Sequence, residues 1–216
     1  MQINSYSLNF TPNFKAIRTA QIQSRIAHKP ATIDLFKITK EDRPFLVKFL
    51  VNTSFKTLCP QLAEYARDRW QKIFNYCIDC ALENENTTYI ALSENKPCGI
   101  LTYQKDTNTV LDGICAIPNE NGEKVPFSGL SLFYQFFLDN LSNKTEGIDL
   151  EAITDGPFNV VKKYEQLGFK QEGFINQYIK MHCNKFKIKE QLQKLSSLLD
   201  YTETEPEKTD LNIFLN

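Results

Sequence analysis

Residues 109–141 read TVLDGICAIPNENGEKVPFSGLSLFYQFFLDNL. The first part, Val110 to Ile117, is a short apolar run rich in β-formers and ended by Pro118, which reads as a strand. A polar loop follows through Asn119, Asn121 and Gly122. Then Leu130, Phe133, Phe137 and Leu141 recur at spacings of three and four, which is one face of a helix. The helix start carries small residues, with Gly129 between Ser128 and Ser131. Such a start leaves its first backbone N–H groups approachable, and those groups with the helix dipole favour an anion. Strand, loop and helix in this order are the unit from which the rest of the chain is read.

The chain has 216 residues, 42% hydrophobic and 24% charged. One domain of roughly 150 residues with extensions fits that length. A formal net charge of −1 gives no argument for nucleic acid or an anionic membrane as partner. No apolar run approaches the roughly 20 residues of a membrane span, and the first residues lack the pattern of a secretory signal. The expected location is the cytoplasm. Six cysteines, Cys59, Cys77, Cys80, Cys98, Cys115 and Cys183, are scattered through apolar runs and read as reduced, buried thiols. Cys77 and Cys80 form one C-x-x-C inside a helical pattern, without the second pair that a structural zinc site wants, so no metal is expected.

Residues 1–31 are polar, free of acidic residues, and carry Lys15, Arg18, Arg25 and Lys29. They read as a mobile or loosely docked arm, with a short helix possible over 13–26. The main domain spans 32–183. Ile33, Leu35 and Phe36 suggest its first strand. Thr39 and Asp42 have the spacing of a capping box, with Pro44 in the first turn of the helix that follows. Pro60 opens a second helix that carries Trp70. A meander of three strands follows: Thr88–Leu92, Cys98–Tyr103 and Val110–Ile117, with turns at 94–97 and 106–108. After the central helix, Ile148–Ile153 is strand-like, 155–157 a turn, and 158–167 a short helix capped by Gly168. Residues 169–181 close with a hairpin. Residues 184–200 form an appended helix striped by Ile188, Leu192, Leu195 and Leu199, either packed on the domain or forming a dimer. Residues 201–216 form an acidic tail around Glu203, Glu205 and Glu207. The order β-α-α-β-β-β-α-β-α-β-β is mixed α/β. The strands flanking the central helix should be parallel, with a ligand site at a strand's C-terminal end beside the helix start.

This order, the Pro-ended strand before the central loop and helix, and Tyr164-Glu-Gln-Leu-Gly-Phe169 resemble the Gcn5-related N-acetyltransferase (GNAT) superfamily over about residues 32–181. The hexamer is similar to the family's frequent Y-E-K-x-G-F. The resemblance implies a mixed central sheet with a V-shaped opening between Val110–Ile117 and Ile148–Ile153. It implies that the pantetheine arm of acetyl-CoA pairs with backbone around Cys115, Ala116 and Ile117. It implies that the pyrophosphate lies over Ser128, Gly129, Leu130 and Ser131. In the family's Q/R-x-x-G-x-G/A loop, Pro126 here stands at the first position and Ser131 at the last, and Lys124 could add a phosphate contact. The implied chemistry is direct acyl transfer to a primary amine, on a small molecule or a peptide. Tyr164 matches the position that protonates the leaving thiolate; otherwise it is a core-edge tyrosine. Asp112, which interrupts an apolar run, and Glu151 are the alternatives for the base that takes the amine proton. His28 and His182 fall outside the expected cleft. The other reading is a binding or regulatory module that keeps the fold without the chemistry. In that case removing residues 185–216 would abolish a partner interaction and leave the domain folded.

Overall fold

The computed structural model describes residues 16–83, 85–105, 108–119, 121–142, 145–154 and 159–215. The expected turns at 106–107 and 155–157 lie outside the described residues, as does the start of the arm. A single sheet organises the rest. Its strands are β1 (Ala16–Ser24), β2 (Thr32–Lys37), β3 (Thr87–Ser93), β4 (Lys96–Lys105), β5 (Thr109–Ala116), β6 (Gly147–Ile153), β7 (Lys170–Ile175), β8 (Tyr178–Asn184) and β9 (Leu199–Thr209). They lie in the order β7-β8-β6-β5-β4-β3-β2-β1-β9. β5 and β6 are parallel; every other described pairing is antiparallel.

The helices are α1 (Arg43–Asn52), α2 (Phe55–Leu58), α3 (Glu64–Leu82), α4 (Ser128–Ser142), α5 (Val161–Gln166) and α6 (Lys185–Leu198). They cover the sheet from two sides, because strand residues alternate between faces. Leu35, Leu101, Leu111, Ile148 and Leu150 pack with Phe133, Phe136 and Phe137 of α4 and with Ile188 and Leu192 of α6. Phe36, Ile90, Ile100, Cys115 and Ile117 pack on the other side with Phe45, Phe55, Trp70, Phe74 and Cys77 of α1, α2 and α3. The capping box at Thr39 forms, with Asp42 accepting from the Thr39 backbone N–H at 2.8 Å and from its hydroxyl at 2.7 Å. Gly168 closes α5 at φ +90°, which a residue with a Cβ adopts at a cost.

Both chain ends differ from expectation. Residues 16–24 are not a loose arm or a helix; they are a strand inside the sheet. Ala16, Ala20 and Ile22 are buried at alternate or near-alternate positions, and a bulge between Arg18 and Ala20 adjusts the phase. The acidic tail is its partner: β9 pairs antiparallel with β1, setting Arg18 opposite Glu207. Arg25 donates to Asp200 at 2.9 Å, and Arg18 pairs with Asp34. The basic start and the acidic end therefore pair across the sheet edge. That pairing is non-local and leaves no trace in short-range periodicity. The appended helix is present and packs on α4 through its Ile188–Leu192–Leu195 stripe, as the packing alternative has it. Tyr201 stacks on Tyr134 at 5.1 Å and donates to Gln135 at 2.9 Å, which ties β9 to α4.

Candidate active site at the parting of two strands

β5 and β6 pair only at Thr109–Ile148, Val110–Asp149 and Leu111–Leu150. Beyond Leu111, β5 runs on to Ala116 with no strand partner on that side among the described residues, while β6 keeps to β8 as far as Ile153. A register shift marks the point of parting: Tyr103 faces Leu111 and Thr102 faces Gly113, so Asp112 is the extra residue of a bulge. On the other edge, Ile117 donates to the Cys98 carbonyl at 3.0 Å. The antiparallel alternation then turns the peptide groups of Gly113 and Cys115 toward β4, and those of Ile114 and Ala116 into the gap. Buried peptide groups need partners, so an edge of this kind invites an extended ligand.

Asp112 sits at the root of the gap, partly buried, on the α3 side. Its Oδ2 is buried without a protein hydrogen-bond partner. Burial, with a smaller contribution from Glu83, raises its pKa to about 6. Glu151 lies on the same face of the sheet but is exposed, in register with Lys180. Tyr164 approaches from α5. Its ring packs on Phe133 at 6.0 Å and Phe169 at 5.8 Å. Burial, then the Cys77 thiol, push its hydroxyl above the ordinary phenol range. Cys77 is fully buried on α3, and a Cβ built on Gly113 would meet its sulfur at 2.7 Å. Asp112, Cys80 and Cys115 all act on that thiol, though burial dominates its raised pKa. His182 is elsewhere: its Nδ1 is 2.7 Å from Asp149, and its ring lies over Gly147 at the paired end of the strands.

Among the residues expected to meet the cofactor, Cys115 and Ile117 are buried against the α3 side, and burial pushes the Cys115 thiol up to about 12. Ala116 holds a surprise. Its carbonyl accepts the indole N–H of Trp70 at 2.9 Å, so one polar group of the open edge is already engaged. Trp70 in turn lies under the Lys124 ammonium, 4.7 Å from the ring centre. Partial burial, then the Lys163 ammonium, lower the Lys124 pKa. At the start of α4, Phe127 has φ +63°, a left-handed residue directly before a right-handed helix. Successive N–H groups in that arrangement form an anion-binding nest. Ser128 is buried, Gly129 has open space where a Cβ would stand, and Leu130 packs on the core. The Ser131 side chain is fully buried, and its hydroxyl has no protein partner.

A separate groove of about 900 Å³ opens beside the loop before α4, lined by residues including Thr32, Glu94, Lys96, Asn121, Lys124 and Pro126. Neither Asp112 nor Tyr164 is among its lining residues. Trp70 and Cys77 were not singled out from sequence as site residues. Their seven-residue spacing on α3 puts both on the face toward β5, but only the packing shows that this face closes the gap. All six cysteines are free and buried. Among the described residues no cluster of three or more His, Cys, Asp or Glu is placed to hold a metal ion. No described helix is long and apolar enough to cross a membrane.

No family model matches the chain, and neither does any curated protein. Solved structures do. The apo form of FdhC, a nucleotide-linked sugar GNAT, aligns over 84% of this chain and 98% of its own at 14% identity, with a TM-score of 0.55. An uncharacterized protein from Bacillus halodurans aligns over 83% of this chain and 97% of its own at 9% identity, with a TM-score of 0.53. PaiA N-acetyltransferase from Thermoplasma acidophilum, in complex with coenzyme A, aligns over 70% and 98% at 17% identity, with a TM-score of 0.48. The chain has the GNAT fold. Low identity throughout marks a divergent sequence on that fold.

Proposed function

We propose that this protein is an acyl-CoA-dependent N-acyltransferase, using acetyl-CoA to acylate a primary amine. The observation that carries this reading is the gap itself: two parallel strands part where a bulge sets a partly buried carboxylate whose Oδ2 has no protein partner. The shared fold with a GNAT supports it.

The residues suit acetyl-CoA. Ile114 and Ala116 offer peptide groups to a pantetheine arm. The nest at Phe127, the N–H groups of Ser128–Ser131, the unpartnered Ser131 hydroxyl, Lys124 and Lys163 suit its pyrophosphate. Pro126 brings no N–H, and the two lysines offset that loss.

The cofactor brings an acyl group activated as a thioester. Asp112, ionised above pH about 6, takes a proton from the attacking ammonium or amine, so that nitrogen can form the new C–N bond. A backbone N–H on the open edge of β5 faces the oxygen that gains charge. As the C–S bond breaks, the thiolate takes the Tyr164 proton; the high phenol pKa keeps that proton in place until then. Glu151, exposed on the same face, serves to attract a cationic acceptor.

The test is calorimetric titration with acetyl-CoA and CoA, followed by an amine screen. Micromolar binding, about −8 kcal/mol, is expected. No binding at millimolar cofactor overturns the reading. One observation favours the alternative, a fold kept for binding alone: the Trp70 indole occupies the Ala116 carbonyl.

A further inference from the structure

We propose that the acceptor is a primary amine that also carries an anionic group, and that Lys180 holds that group. This rests on the acyltransferase reading above and names the substrate class of that site.

α3 covers the sheet only as far as β5. The core on that side draws on β1 to β5 and takes no residue from β6, β8 or β7. Yet β6 and β8 turn alternate residues to that side, because Ile148, Leu150 and Ala152 of one and Ile179, Met181 and Cys183 of the other pack toward α4 and α6. Among the described residues, this face of β6, β8 and β7 is therefore an uncovered floor beside the gap. Its make-up follows from the register, since residues directly opposite share a face. Ile153, Tyr178 and Ile175 form one row across the three strands. Glu151, Lys180 and Gly173 form the next, and Asp149, His182 and Lys170 the third.

Charge is sorted across that floor. Carboxylates stand on the strands that border the gap, Asp112 on β5 and Asp149 and Glu151 on β6. Ammonium groups stand farther out, Lys180 on β8 and Lys170 on β7. Asp149 is already engaged: His182 Nδ1 lies 2.7 Å from one of its oxygens, and the Asn108 amide donates to the other at 3.1 Å. Glu151 and Lys180 are not. They stand directly opposite each other, and among the described residues neither makes an ion pair.

An amine in the gap meets Asp112, whose Oδ2 is buried without a protein partner, and then Glu151. A chain that leaves this nitrogen over the floor crosses β6 and comes to Lys180 on the next strand, one spacing of about 4.8 Å farther. Gly173 has open space where a Cβ would stand, so the far end of that row is clear. The floor thus receives a positive end at the gap and a negative end one strand away. A second cation at that distance would face Lys180, with Lys170 one row over, and is disfavoured.

The probes are three six-carbon amines: ε-aminocaproate, hexylamine and hexamethylenediamine. Each is titrated calorimetrically into the CoA-bound protein and assayed for turnover with acetyl-CoA. ε-Aminocaproate is expected to bind about tenfold or more tightly than hexylamine and to exceed it by a similar factor in kcat/KM, the worth of one hydrogen bond between charged groups. The diamine is expected to fall below both. Lys180→Met keeps the length of the side chain and removes its charge; it should bring the ratio of ε-aminocaproate to hexylamine near unity, while Lys180→Arg should keep the preference. Circular dichroism checks that both variants fold. Hexylamine or the diamine bound and used as well as ε-aminocaproate overturns the proposal, as does a ratio that Lys180→Met leaves unchanged. CoA binding without any response to ε-aminocaproate overturns it too. In these three cases only this proposal falls; if CoA itself fails to bind, the acyltransferase reading falls and this proposal with it.

Discussion

Two ladders of the one sheet differ: that between β1 and β9, and that between β5 and β6. The first runs from Ala16–Thr209 to Ser24–Leu199, interrupted by one bulge. The second stops after Leu111–Leu150. A complete ladder uses its peptide groups on itself and contributes stability. A broken one leaves peptide groups on an inner strand looking for a partner, and the groups proposed to do the chemistry stand near it. Asp112 lies at the break, with Trp70 and Cys77 of α3 against β5 just beyond it; the less buried positions of the terminal ladder carry mostly Thr, Gln and charged residues.

The largest effect is expected from breaking the complete ladder. Deleting residues 199–216 removes β9, bares the edge of β1 and takes out Leu199 and Leu211, both buried in the core, and Tyr201, which stacks on Tyr134. The truncated protein should lose its cooperative thermal transition or aggregate. This reverses the expectation that removing 185–216 would leave the domain folded, because that segment supplies a helix and a strand of the domain itself. A cooperative melt of the truncated chain at the wild-type temperature would show that β9 is dispensable.

At the broken ladder, Asp112→Asn should lower turnover by about 10²- to 10⁴-fold while acetyl-CoA still binds. In the wild type, kcat/KM should rise with pH and level off above about 6, the pKa to which burial raises Asp112. The sign for stability is opposite. The carboxyl holds its proton more tightly folded than unfolded, where its pKa is near 3.8. The folded state therefore loses stability as pH rises from about 4 to about 6, and Asp112→Asn removes that loss. Thermal melts at pH 5 and pH 7.5 check it; a variant no more stable than wild type at pH 7.5 would count against a desolvated carboxylate. Tyr164→Phe should slow turnover by about 10²-fold and change acetyl-CoA affinity little, since its ring packing survives.

A smaller change sharpens the contrast from inside the gap. Trp70→Phe removes the donor on the Ala116 carbonyl and keeps an aromatic ring on α3. Freed, that carbonyl should bind acetyl-CoA about fivefold more tightly, the worth of one hydrogen bond of about 1 kcal/mol. Weaker binding would mean that the indole belongs to the cofactor site instead of competing with it. The smallest effect belongs to the terminal ladder again. Arg25→Ala breaks an exposed pair with Asp200 and should cost less than about 1 kcal/mol in a denaturant melt.

Most of the elements between β2 and α6 were legible from local signals. Apolar alternation marked β2 to β6, the three-and-four spacing of Leu130, Phe133 and Phe137 marked α4, and Gly168 marked the end of α5 at a positive φ. Tyr164 and Asp112 were legible as candidates because one sits in a hexamer with a recognisable pattern and the other is a carboxylate inside an apolar run. The chain ends were not legible, since Ala16–Ser24 and Leu199–Thr209 are weakly patterned strands; β1 pairs with β2 on one side, and its pairing with β9 on the other has nearly the whole chain between the two strands.

The sequence by itself determined most of the element order between β2 and α6 and the parallel pair around α4. Those follow from propensity and periodicity, which act over a few neighbouring residues. Only the tertiary structure decided where β5 leaves β6, that a bulge turns Asp112 toward α3, that Trp70 takes the Ala116 carbonyl, and that Cys77 packs against Gly113. Each of these depends on how a helix from one part of the chain packs on a strand from another, and such contacts are set by the shape of the assembled core.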